Sequence, residues 1–500
     1  MGIIQRQGIR NSIITYIGIL LGAVSLIFIQ PRFLTKEEIG LTRLLFSFSA
    51  LIAVVMPMGM NAATLKFFPY FRNREERHQG FFGFMLLFPA VGFIVISTLL
   101  FLCSDYILKD YAQSPLFVEY FYYVFPMTFS LTFISVLTAY SYSIFRTSVP
   151  AFLSDIIVRI GSILLFTIYF IKVINRDQFI FLFVAIYGTQ LLTLVIYLFF
   201  EDRPSIKIKW EKYEEHSPWK IFRYGLLMSL SGISALGLKY LDTIMLGMYK
   251  PKETSLHALD LVGIYSIAAF VATFVEAPMN ALDKIIVPKI ADGWKNNDTA
   301  DIQQIYYKSA KYLFLLGGFL FLLINLNIDS LFSLIPDHDY SLAKGVVFII
   351  SFGTLLNMAT GSNDGILYTS ERYIILTWLL LGLLAIAYIN YKIFIPLFGM
   401  EGAAIATALS ATIFNTAKFF LIKRFFGLQP FTMATIKIAL VILITGLVVY
   451  FIPKVPYVLL DIVLRTSLIT IVFGLLVYQL KILEEFHHLI PYIGKSSSED

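Results

Sequence analysis

Hydrophobic and polar residues divide this chain into long apolar runs and short polar breaks from one end to the other. About fourteen runs stand out by hydropathy and length. They lie at 9–29, 41–65, 81–103, 117–140, 152–174, 179–200, 224–247, 261–285, 306–326, 343–367, 374–394, 402–420, 431–451 and 457–477. Each is long enough to cross a bilayer, since about 20 residues at 1.5 Å per residue span the hydrocarbon core. Within a run the apolar residues are continuous rather than alternating, which predicts helices and not the strands of a barrel. The predicted class is therefore an all-α polytopic membrane protein. Run 224–247 organises the reading, because it holds two charges, Lys239 and Asp242, spaced to share a helix face. Charges at membrane depth usually face a protein interior or a water-filled cavity, so this helix is expected to form one wall of a central cavity.

Composition excludes a soluble globular protein: of 500 residues, 58% are hydrophobic and only 14% charged. No polar break is large. The longest, 201–223, is a charged connector too short to form a domain. It separates a six-helix half, 1–200, from a second, 224–422, which is followed by two extra helices in 423–480 and a tail, 481–500. Lysine and arginine set the expected orientation. Arg6, Arg10, Arg72, Arg74, Arg77, the connector's Arg203, Lys207, Lys209, Lys212, Lys220 and Arg223, then Lys289, Lys295, Lys423 and Arg424 fall in one set of loops. The alternate loops are poor, with Lys109 alone in one and Lys454 alone in another. Both termini and the connector are thus expected in the cytoplasm. The basic N-terminus leads into a spanning run with no small-residue cleavage site, which predicts a retained first helix. The net charge of +6 fits topology and anionic headgroups rather than nucleic acid. The single cysteine, Cys103, permits no internal disulfide and is expected to be a buried small hydrophobe.

An internal repeat gives the architecture. Pro57–Pro69 reads PMGMNAATLKFFP and Pro278–Pro288 reads PMNALDKIIVP, with Asn61-Ala62 and Asn280-Ala281 each eight residues before the closing proline. Ile144-Phe145-Arg146-Thr147-Ser148 resembles Ile366-Leu367-Tyr368-Thr369-Ser370 at nearly the same offset. Both offsets are about 220 residues, the signature of a duplicated unit. Six spans per copy is an even number, so both halves enter the membrane in the same direction. Transporters built from such parallel repeats bind substrate between the halves and rock them in alternating access.

The chain has no Walker A pattern, no zinc-ligand spacing and no nucleophile elbow, so no enzyme, metal or cofactor chemistry is expected. Glu484, Glu485, His487 and His488 in the tail diverge around a helix, and the Asn297-Asp298-Thr299 sequon falls on the expected cytoplasmic side. What remains is intramembrane charge. Lys239, Asp242, Arg159 and Asn357 are the candidate lining of a substrate cavity. Asp242 is either the local partner of Lys239 or a cavity residue, and Asp155 stands one turn before Arg159 on the same face. Glu276, beside Pro278, is the candidate for proton or ion coupling, since a carboxylate at that depth must be paired, wet or protonated. Arg43 and Arg465 lie nearer the outer ends of their spans, where snorkelling is expected. Asn363 and Asp364 make the tenth span polar at its inner end. Pro57, Pro126 and Pro278 fall within spans and are expected to bend them.

Taken together, the chain resembles the multidrug/oligosaccharidyl-lipid/polysaccharide (MOP) flippase superfamily, and within it the bacterial polysaccharide biosynthesis or O-antigen flippase type. Three segments carry the likeness: Glu38-Ile39-Gly40, Val262-Gly263-Ile264-Tyr265-Ser266-Ile267-Ala268, and Gly399-Met400-Glu401-Gly402-Ala403-Ala404-Ile405-Ala406-Thr407. The resemblance covers essentially the whole chain. It implies a MATE-like fold and transfer of a lipid-linked oligosaccharide from inner to outer leaflet, for cell-surface polysaccharide or lipopolysaccharide synthesis. It also implies membrane lipids as partners, and glycosyltransferases or a polymerase of the same pathway. An ion-coupled multidrug or small-metabolite exporter of the same fold is the alternative.

Overall fold

The structure, a computed structural model, describes residues 3–213, 217–249 and 256–482. The tail cluster of Glu484, Glu485, His487 and His488 lies outside them. The described chain is all helical, and twelve helices are long and apolar enough to cross a membrane, or thirteen with the bent pair Pro218–Ser234 and Leu236–Gly247. One of the twelve, Ile374–Phe426, has 53 residues. That is about 80 Å of helix, more than twice the hydrocarbon core. It is interrupted at Gly399 (φ 59°, ψ −126°), a backbone conformation open only to glycine. Read as two crossings, it accounts for the eleventh and twelfth runs.

The principal helices are α1 (Ile3–Ala23), α2 (Lys36–Val55), α3 (Met60–Phe71), α4 (Phe81–Leu102), α5 (Val124–Ser143), α6 (Val158–Phe170), α7 (Arg176–Asp202) and α8 (Pro218–Gly247). They continue with α9 (Ala258–Thr273), α10 (Ala277–Lys295), α11 (Thr299–Leu326), α12 (Lys344–Ala359), α13 (Asn363–Thr369), α14 (Tyr373–Phe426), α15 (Met433–Tyr450) and α16 (Val458–Gln479). The breaks have local causes. Pro57 sits in the turn between α2 and α3, where Met58 and Gly59 take positive φ. Pro278 stands in the first turn of α10, directly after a 3₁₀ turn, Phe274–Glu276. Pro126 likewise stands in the first turn of α5, after the 3₁₀ turn Phe121–Tyr123. A proline in a first helical turn gives up no intrahelical hydrogen bond.

A succession of elements recurs along the chain. A broken span (α2–α3, then α9–α10) is followed by a long helix (α4, then α11) and a short one (Ser104–Asp110, then Ile328–Ser333). A 3₁₀ turn, preceded in the first series by the additional short helix Pro115–Tyr120, and a further long helix (α5, then α12) complete each series.

The helices form two compact units, Met1–Ile267 with Leu380–Met400, and Ala268–Leu379 with Glu401–Asp500. The first has an aromatic core in which Phe68, Phe81, Phe82, Phe84 and Tyr140 are at most 1% exposed. Beside it, His78 faces Asp202 at 2.9 Å, and the Tyr140 hydroxyl donates to the same carboxylate. The Asn73 backbone N–H donates to His78 Nδ1, so Nε2 holds the proton given to Asp202. This network fastens the 72–80 loop to the end of α7. The second unit is built on α11, which packs on α12, α15 and α10. Within it Asp329 bridges Lys344 and Lys454. Burial alone would raise the Asp329 carboxyl, but the hydrogen bonds and charges of the two lysines outweigh it and hold the group below the usual carboxylate range. Its contribution is therefore present at neutral pH and is lost as pH falls through the lowered value.

Two expectations are corrected. Cys103 is exposed, because it caps the end of α4 instead of lying in a core. Arg465 does not snorkel: it is 7% exposed at its side chain, and Nε donates to both oxygens of Asp461 at 3.0 Å. Nη2 donates to the Ile452 carbonyl at 2.9 Å, and Asp461 also accepts from Ser330 and from the Val455 N–H. The pair closes the turn between α15 and α16.

Candidate functional site

In the first unit, α1, α2, α6, α7 and α8 bring cations and tyrosines together. Gly18 and Gly22, one turn apart on α1, leave room for α6: Asp155 lies against Gly18, and the Arg159 guanidinium occupies the place where a side chain on Gly22 would stand. Arg159 donates to the Gly18 carbonyl, and Asp155 lies within its electrostatic range. A π-helical stretch, Leu153–Ile157, precedes it and turns the side chain toward α1. Arg43, on α2, is half-buried, with Nη2 3.4 Å from Gln30 Oε1. Its guanidinium lies within electrostatic range of Arg159, Tyr187 and Tyr240. Phe46, one turn further on, packs against both tyrosine rings, at 5.6 Å for Tyr187 and 5.9 Å for Tyr240. The expected snorkelling of Arg43 is corrected by this setting: the guanidinium points into the helix packing beside Arg159. Among the described residues no carboxylate is in ion-pair contact with Arg43, Arg159 or Lys239.

Lys239 is exposed, with Nζ 5.3 Å from the centre of the Tyr240 ring. It makes no ion pair with Asp242. That carboxylate instead accepts from the Tyr265 hydroxyl at 2.8 Å and from the Thr243 N–H and hydroxyl. Spacing put Lys239 and Asp242 on one face, but the donors that reach the carboxylate come from Tyr265 and Thr243. Asp242 is thus a tie between α8 and α9 within this unit.

Asn357 and Glu276 belong to the second unit. Asn357 Nδ2 faces the Met279 sulfur at 3.7 Å, and its buried Oδ1 has no hydrogen-bond partner among the described residues. Glu276 is half-buried in the 3₁₀ turn that breaks α9 from α10. Three side chains the sequence reading passed over also gather in this unit: Lys418 of α14, Asp283 of α10 and Ser362, together with Asp364. Lys418 was legible in principle, as a lysine near the end of an apolar run. An apolar groove of about 510 Å³ lies between α11, α12 and α15, lined by Phe314, Phe321, Phe348, Phe352, Ile442 and Leu447 among others.

The motifs behind the resemblance have structural roles. The Glu38 side chain accepts from the Thr35 N–H, and the Thr35 hydroxyl accepts from the Glu38 N–H, a capping box at the start of α2. Glu38 also receives Arg176 and the Tyr169 hydroxyl. Gly40 and Gly263 let α2 and α9 touch backbone to backbone, since a Cβ on either would collide with a carbonyl of the other helix.

No family model matches the sequence, and no curated protein matches it. Solved structures do match. A structure described as lipid II flippase MurJ in an inward closed conformation superposes with a TM-score of 0.73 over 94% of this chain and 99% of its own, at 13% identity. The fold is that of the MOP superfamily. An inward-facing multidrug resistance MATE transporter of that superfamily gives 0.62 at 13% identity, over 83% of this chain and 94% of its own. A point mutant of the Vibrio cholerae MATE transporter VcmN gives 0.51 at 12%, over 83% and 96%.

Proposed function

We propose that this chain is a flippase for a lipid-linked oligosaccharide, a polyprenyl-diphosphate-linked repeat unit, moving it from the inner to the outer leaflet by alternating access. The observation that carries this reading is the pairing of Arg43 and Arg159, with Lys239 near Tyr240, in a site where none of these cations has a carboxylate in ion-pair contact. Two guanidinium groups within electrostatic range of each other repel and are costly in a low-dielectric setting. A diphosphate relieves both penalties, and guanidinium groups match its geometry. The apolar groove of the second unit has the character needed by a hydrocarbon chain. MurJ, the structure matched over almost its whole length, is itself a lipid II flippase. In this reading the halves 1–200 and 224–422 are parallel repeats, and Glu276 takes up the coupling proton. Glycosyltransferases or a polymerase act before and after transport.

Depletion of the protein should leave the lipid-linked sugar in the inner leaflet, while accumulation of ethidium or norfloxacin by the cells stays unchanged. The reverse result assigns the chain to the exporter reading, which the likeness to multidrug transporters favours. Glu276→Gln should remove the pH dependence of transport while the protein stays abundant. Unaltered pH dependence would exclude Glu276 as the coupling group.

The orientation is tested on a Cys103→Ala background. Ser217→Cys, exposed ahead of α8, should resist an impermeant maleimide applied to intact cells. Ala112→Cys, exposed in the loop before Pro115–Tyr120, should react. Its neighbour Ser114 is unsuitable, being fully buried with its hydroxyl on the Gly247 carbonyl. Inverted labelling would place both termini outside.

A further inference from the structure

In the second unit, α10 and α11 run antiparallel from a tight turn at 296–298, and a cavity of about 400 Å³ opens on their flank. The helices meet on their buried side. Ile290 and Ile302 are fully buried there, and a Cβ on Gly293 would stand 2.6 Å from Ile302 Cγ1. The Asp298 carboxylate accepts from the Asp301 N–H at 2.9 Å and fixes the start of α11. The cavity walls carry Lys289 and Asp292 from α10, and Asp301 and Lys308 from α11. Its volume is within the range of small-ligand sites, but its walls bear charge of both signs.

The charges form two tiers. Asp292 and Asp301 lie about 5 and 3 Å from the helix ends at Lys295 and Thr299, and Lys289 and Lys308 about 9 and 14 Å, by the helical rise. Both helices belong to spans that end at this turn. The carboxylates therefore stand at the aqueous mouth and the ammonium groups nearer the membrane interior. All four side chains are exposed, and among the described residues none has an ion-pair partner, although Lys289 and Asp292 are three apart on one helix. Opposite charges that do not neutralise each other across a cavity leave both signs open to a ligand. Farther from the turn on the same faces, four residues before Lys289 and eight after Lys308, Ile285 and Leu316 are exposed. Carboxylate, ammonium and apolar surface thus follow in order from the water inward. A zwitterionic phospholipid presents the complementary order, with its ammonium in water, its phosphate one step deeper and its acyl chains beneath. A primary ammonium has three donors for the carboxylates, whereas a quaternary one has none. A simple anion would be repelled by the carboxylates and a simple cation by the lysines, so neither matches the whole site.

We propose that this cavity is a headgroup site for a phospholipid bearing a primary ammonium, of the phosphatidylethanolamine kind, with the phosphate at Lys289 and Lys308 and the ammonium at Asp292 and Asp301. The order of groups in the lipid is the same in both leaflets, so the site rests neither on the orientation nor on the flippase reading.

The test is native mass spectrometry of the purified full-length protein, titrated separately with dioleoyl phosphatidylethanolamine, phosphatidylcholine and phosphatidylglycerol. One phosphatidylethanolamine per chain should be retained with an affinity about fivefold above that of either other lipid, the scale of one exposed ion pair. Asp292→Asn/Asp301→Asn should abolish the preference over phosphatidylcholine. The exchanged variant Lys289→Asp/Asp292→Lys/Asp301→Lys/Lys308→Asp should abolish it too, and it keeps the net charge, so its loss reports the order of the charges alone. Free phosphoethanolamine should displace the lipid only in large excess. Equal affinity of the native protein for the three lipids would overturn the proposal, and that comparison stands even where a variant folds poorly. An undiminished preference in the exchanged variant would overturn it as well. Displacement by equimolar phosphoethanolamine would overturn the assignment to a lipid.

Discussion

Arg43→Ala and Arg159→Ala are each expected to abolish delivery of the lipid-linked sugar while leaving the protein abundant in the membrane. The two guanidinium groups lie within electrostatic range of each other on α2 and α6, and neither has a carboxylate in ion-pair contact. A diphosphate at about 5 Å from one cation gains about 3 kcal/mol per unit charge at an effective dielectric of about 20. Loss of one cation should therefore lower transport by roughly a hundredfold. Lysine at either position should restore part of the activity, since it returns the charge without the planar fork. Lys239→Ala should follow the arginine variants, because the Tyr240 ring links it to the same group of side chains. Quantification of surface polysaccharide in a deletion strain, normalised to membrane abundance, measures each effect. Normal polysaccharide in all three alanine variants would show that these cations are structural.

A second large effect is expected on stability. Arg465→Ala should destabilise the protein by about 3 kcal/mol, the scale for removing one member of a buried ion pair. It leaves Asp461 with its charge but without its bidentate partner, and frees the Ile452 carbonyl. Asp461→Ala should cost a similar amount, since Arg465 then loses its counter-charge and Ser330 its acceptor. The double variant Asp461→Leu/Arg465→Met should recover much of the loss, because no charge is left unpaired. Thermal unfolding of the purified protein, followed by fluorescence size-exclusion chromatography, compares the three. Equal melting temperatures in the native protein and Arg465→Ala would remove the pair as a structural clamp.

The membrane spans were legible because a bilayer imposes length and continuous apolarity on every crossing. The eleventh and twelfth runs are read from the sequence as two spans, and the helix Ile374–Phe426 breaks between them at Gly399. The resemblance motifs were legible too, although Glu38 and Gly40 act in capping and close packing and not in substrate contact. The side-chain partners were not legible. Depth along a helix suggested snorkelling for Arg43 and Arg465, yet depth says nothing of which neighbouring helix approaches. Helical spacing placed Lys239 and Asp242 on one face, but Tyr265, from the next helix, is the partner that Asp242 has. Lys418 and Asp283 meet only because α10, α13 and α14 fold together, and no local pattern joins them.

Reconstitution tests the central claim most directly. Purified protein in proteoliposomes should move a fluorescent polyprenyl-diphosphate disaccharide between leaflets, read by its accessibility to an impermeant quencher. The account predicts translocation well above that of empty liposomes, abolished by Arg43→Ala and Arg159→Ala together and insensitive to excess ethidium. Translocation at the rate of empty liposomes, with ethidium transported instead, would contradict it.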